Sequence, residues 1–123
     1  MRSRNIPSEE ELARASAALR RRARGLSEVR ARLLARFKER GLAEAFVMDR
    51  AEHKFHVFVF YESNDQIRAA VRSGLSAEIT KTVYKELEAV GRGDRDQNEV
   101  AFEFDSHENV EKNYEGDYYL RLR

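Results

Sequence analysis

Phe55-His56-Val57-Phe58-Val59-Phe60-Tyr61 is apolar in both of its alternating sets: His56, Phe58 and Phe60 on one side, and Phe55, Val57, Val59 and Tyr61 on the other. A period of two marks a strand, and a strand apolar on both faces has to be covered on both sides or paired along both edges. It is therefore predicted to be central. The segment before it, from Leu42, also has a period of two, with Phe46 and Met48 facing opposite to Ala45 and Val47. Glu44 and Asp49 make that strand the more exposed of the pair, and the turn between them centres on Arg50 to His53.

Downstream, Asn64 and Asp65 offer caps for a short helix carrying Ile67, Ala70 and Val71, which Gly74-Leu75-Ser76 interrupts. A second helical stripe of Ile79, Val83, Leu87 and Val90 runs to Gly91, and the Gly, Asp and Asn residues between 91 and 98 form a loop. Glu99 to Asp105 alternates again, with Val100, Phe102 and Phe104 opposed to Glu99, Ala101, Glu103 and Asp105. Ser106 to Tyr114 fits two helical turns. Asp117 to Arg123 is expected to close the chain as a strand, with Tyr118, Leu120 and Leu122 opposed to Tyr119, Arg121 and Arg123.

Upstream, Ser8 and Glu11 have the spacing of a capping box, and Leu12, Ala15, Leu19 and Ala23 form a thin apolar stripe among arginines. Gly25-Leu26-Ser27 breaks that helix, and Val29, Leu33, Leu34 and Phe37 continue a second one to Gly41. The fold class expected is α+β: an N-terminal helical hairpin with a mainly antiparallel four-stranded sheet in two layers, in the order ααββααβαβ. A chain of 123 residues fits a single domain, 1–123, made of a basic helical hairpin over 1–41 and a sheet portion over 42–123.

Composition bounds the function. Apolar residues make up 41% and charged residues 37%, too many large apolar side chains for disorder. There is no cysteine, so disulfides and thiolate metal sites are excluded, and a reducing, cytoplasmic setting is the expectation. The longest apolar run, Val57 to Tyr61, falls far short of the roughly 20 residues of a membrane span. The formal net charge of +1 conceals an asymmetry: residues 1–40 carry 12 Lys and Arg against 5 Asp and Glu, and residues 41–123 carry 11 against 17. Such blocks select partners and speed encounter rather than decide a fold.

Motifs for chemistry are weak. On a strand, His53 and His56 would project to opposite faces. Asp94, Asp96 and Asn98 open like a calcium loop, but Glu99 stands where a glycine is required. Asp105, Ser106 and His107 are neighbours in sequence and diverge, whereas a triad draws its members from separate segments. No enzyme activity, cofactor or metal is expected.

The expectation is instead a binding protein. From Asp94 to Tyr118 there are nine acidic residues and two basic ones, with tyrosines beside them. Glu99, Glu103, Asp105, Glu108, Glu111, Glu115 and Asp117 are the candidate electrostatic surface, Tyr114 and Tyr119 the candidate anchors, and Tyr118 a core residue. The alternative is that the strand carboxylates face solvent and are paired by Arg121 or Arg123. A different class of partner, nucleic acid, would use Arg20, Arg21, Arg22 and Arg24 on the first helix. The alanine-rich stripe on that helix also offers a contact for a homodimer.

The segment from Phe104 to Tyr119, FDSHENVEKNYEGDYY, resembles C-terminal stretches of small bacterial immunity proteins, the antidotes of contact-dependent and other polymorphic toxins. The resemblance covers only this segment. It implies a cytoplasmic protein that binds a cognate toxin domain, often a basic nuclease, and blocks its active site or a nearby surface.

Overall fold

A computed structural model describes residues 8–123, so Met1 to Pro7, the start of the expected basic hairpin, lies outside the described residues. The helices are α1 (Glu9–Ala23), α2 (Leu26–Phe37), α3 (Asn64–Ser73), α4 (Leu75–Ala89), α5 (His107–Tyr114) and α6 (Tyr118–Leu122). The strands are β1 (Leu42–Ala51), β2 (Lys54–Tyr61) and β3 (Glu99–Ser106), in the spatial order β1-β2-β3. β2 is central, as its two apolar faces require.

The expected four-stranded, mainly antiparallel sheet is corrected in two respects. β1 and β2 pair antiparallel, but β2 and β3 pair parallel, with Val57 opposite Phe102 and Val59 opposite Phe104. The α3–α4 pair between them supplies the long crossover that a parallel pair needs. The second correction is at the C-terminus, where Tyr118–Leu122 is a helix rather than a strand, so the order is ααββααβαα. The Asp117 side chain accepts from the backbone N–H groups of Tyr119 and Leu120 and starts a helical turn there.

The sheet is covered on both faces, making three layers where two were expected. On one face, Phe55, Val57, Val59 and Tyr61 pack with Leu26, Val29, Leu33 and Phe37 of α2 and with Ile79, Val83 and Leu87 of α4. On the other, Phe58, Phe60 and Val110 are buried together, with Phe46, Met48, Tyr114, Tyr118 and Leu122 packed against them. Fully burying each large side chain is worth about 1.5–3 kcal/mol.

The N-terminal helices differ from a buried hairpin. Ser8 and Glu11 do form the capping box. Yet α1 buries no residue: Leu12 is 53% and Leu19 64% exposed. Its main tertiary contact is with β1, whereas α2 packs on β1 and α4. Val71 of α3, expected on a buried stripe, is also exposed, while Ala70 is buried. The α3 cap is Ser63, whose side chain and that of Gln66 form a capping box, rather than Asn64 or Asp65.

Candidate functional site

The carboxylates of the C-terminal third do not form one open surface. The odd-numbered side chains of β3 from Glu99 to Asp105 lie on the sheet face that α5 and α6 cover, and this brings Arg121 of α6 over two of them. Arg121 Nε donates to Asp105 Oδ2 at 2.6 Å, and its Nη2 donates to Glu103 Oε1 at 3.3 Å. Burial lowers the Arg121 pKa, but the hydrogen bonds to Asp105 and Glu103 outweigh it and the net direction is upward. Asp105 also accepts from Asn109 Nδ2 at 3.0 Å and, through Oδ1, from the backbone N–H of Ser106. The Arg121 pairing anticipated from sequence is therefore present, reached from a helix rather than from an adjacent strand.

The remaining candidates divide by their local work. Glu108 accepts from the backbone N–H of Asn64 at 2.8 Å, and Asp117 caps α6. Glu111 lies 3.0 Å from His107 Nε2, one helical turn away. Glu115 is in the left-handed region, with φ 56, and is exposed; Glu99 is exposed at the start of β3. Tyr114 packs against the second core cluster and is half-buried.

Tyr118 and Tyr119 separate sharply. Tyr118 stacks edge-on against Phe60, with ring centroids 4.9 Å apart, and its hydroxyl lies 2.6 Å from His107 Nδ1. Burial, reinforced by Glu44, Glu62, Glu111 and Asp105, pushes its pKa up to about 12. Tyr119 points outward and is 79% exposed. It lines an open depression of about 480 Å³ with Arg30, Glu44, Phe46, Glu115 and Asp117, in which Arg30 Nη2 donates to Glu44 Oε1 at 2.6 Å. Glu44 is a member that sequence reasoning missed. The signal was its even-numbered position in β1, the parity of Phe46 and Met48, which face α5 and α6.

The other sequence candidates are placed as follows. Arg22 lies 3.7 Å from Asp49 Oδ1, and Arg24 donates to the Gly91 carbonyl at 3.3 Å. Arg20 and Arg21 are exposed on α1. His53 sits in the β1–β2 turn, 3.2 Å from Asn98 Oδ1, while His56 stacks on Phe58 of its own strand with Nε2 2.8 Å from Glu103 Oε2, so the two do not converge. No group of His, Asp and Glu able to hold a metal ion occurs among the described residues. Ser106 is fully buried; its hydroxyl accepts from the backbone N–H of Asn109 and donates to Asn64 Oδ1, which makes it a helix cap.

Among the described residues, no helix is long and apolar enough to cross a membrane. Comparison with family models, curated proteins and solved structures gave no significant match to this chain.

Proposed function

We propose that the chain is a non-enzymatic protein-binding antidote of the immunity type, which neutralises a cognate basic, nuclease-type toxin domain through the face formed by α5 and α6. The observation that carries this reading is Tyr119: a large aromatic side chain, 79% exposed, in a depression shared with Glu115 and Asp117, whereas Glu44 there is already paired with Arg30. Carboxylates steer a cationic partner and raise its association rate, while a buried aromatic anchor sets residence time. The electrostatic surface is centred on Glu111, Glu115 and Asp117. Glu103 and Asp105 are engaged by Arg121 and contribute less.

The test is copurification with the cationic protein encoded beside it, followed by binding kinetics. Glu111→Lys with Glu115→Lys should slow association about tenfold. Tyr119→Ala should speed dissociation by an amount equivalent to about 2 kcal/mol. Association and dissociation rates unchanged by these substitutions would remove the reading.

A further inference from the structure

The outer edge of β1 carries a second candidate docking surface, on the other side of the strand from Tyr119. In an antiparallel ladder, alternate residues turn their N–H and C=O groups away from the partner strand. Ala45 does so: its carbonyl accepts from Arg30 Nε at 2.7 Å and its N–H donates to Glu44 Oε1 at 3.0 Å. Asp49 does so too, with Arg22 3.5 Å from its carbonyl. Val47 lies midway between them and shares their parity, so its N–H and C=O face the same way; among the described residues they have no partner.

This gap in the edge opens into a groove of about 500 Å³ between α1, α2 and β1, whose walls include Leu19, Ala23 and Leu26. Leu19 is 64% exposed there. The groove therefore has an unpaired backbone donor and acceptor along its floor and apolar side chains above them, the two features that strand addition uses.

We propose that this edge binds an extended, acidic segment of a partner protein as an added β-strand. The charge follows from Arg22. Its two contacts with Asp49 are long, 3.5 and 3.7 Å, and its side chain is 55% exposed, whereas Arg92 holds the same carboxylate at 2.7 Å. Arg22 can turn to an incoming carboxylate while Asp49 Oδ2 keeps Arg92, because Asp49 Oδ1, which Arg22 faces at 3.7 Å, has no hydrogen bond to lose among the described residues. A charge-assisted bond to a carboxylate is stronger than one to a neutral carbonyl. Its departure also releases the Asp49 carbonyl as a further acceptor for the added strand. Arg20 and Arg21, exposed on the same helix, strengthen the preference for negative charge. A second copy of this chain fits less well. Antiparallel pairing of β1 with its own copy keeps like faces together and sets two arginine-rich α1 helices side by side.

The experiment uses the full chain, labelled with nitrogen-15, and two capped octapeptides, one alternating Glu and Val and the other Lys and Val. At ten times its Kd, the Glu peptide should slow amide exchange at Val47 about tenfold, and the Lys peptide should leave it unchanged. Arg22→Glu should weaken the Glu peptide about tenfold and admit the Lys peptide. Val47→Pro should abolish binding while the β1–β2 amides stay protected, because the deleted N–H faces away from β2. Protection by neither peptide, equal protection by both, or protection of Val47 that rises with protein concentration alone would overturn the proposal, the last in favour of a second copy.

Discussion

Arg121 and Asp105 are sixteen residues apart in sequence and joined by a 2.6 Å hydrogen bond that fastens the last helix to the last strand. Both side chains are largely buried, at 19% and 13% exposure. Arg121→Ala leaves a mostly buried carboxylate without its cation and should cost about 2–3 kcal/mol in urea unfolding. Glu103→Gln, at a side chain 43% exposed, should cost under about 1 kcal/mol. Equal losses for the two would contradict the assignment of Asp105 as the main partner.

Adjacent tyrosines should behave oppositely. Tyr118→Ala removes a ring packed against Phe46 and Phe60 and should destabilise by about 3 kcal/mol. Tyr119→Ala should stay within about 0.5 kcal/mol of the parent. Thermal or denaturant unfolding of both variants checks this.

The Tyr118 hydroxyl makes stability fall at high pH. Its pKa is raised from 10.0 to about 12 by burial and the surrounding carboxylates. A group whose folded pKa is raised contributes fully below the unfolded value and loses that contribution as pH rises through the folded one. Stability should decline between pH 10 and about 12, less steeply in Tyr118→Phe. A phenolate absorbance titration should lose its step near pH 12 in that variant.

Two glycine breaks should differ in cost although both have positive φ. Gly74 (φ +87) has nothing among the described residues within 4 Å of where a Cβ would stand, so Gly74→Ala should cost about 1–2 kcal/mol of backbone strain alone. At Gly25 (φ +76) an added Cβ would meet Val90 at 2.7 Å, so Gly25→Ala should cost more. Paired melting curves decide the order.

Charge by itself did not disclose which carboxylates are open. In sequence, Glu103 and Glu115 are equivalent members of one acidic run. In the fold, one lies beneath α6 against Arg121, and the other sits at an exposed helix end. Likewise, the apolar stripe of α1 has helical spacing, but among the described residues it only borders an open groove against α2 and β1 and buries no side chain, and spacing cannot report how completely a face is covered.

What the sequence by itself determined is whatever rests on local periodicity and punctuation. The central, doubly apolar β2, the capping box at Ser8, the breaks at Gly25 and Gly74 and the loop before β3 are all of this kind. The caps, breaks and loop are set by interactions within a few residues, and the position of β2 is announced by its own double apolar alternation although distant segments satisfy it. Tertiary structure decided the rest. Tyr118 and Leu122 are four apart, a spacing that puts residues on one side of a strand and also on one side of a helix; the local Asp117 cap favours the helix, and packing of both side chains against Phe58 and Phe60 decides it. The direction of β3 was likewise set by where α3 and α4 deliver the chain, because parallel and antiparallel strands present the same alternation and differ only in the partner they meet.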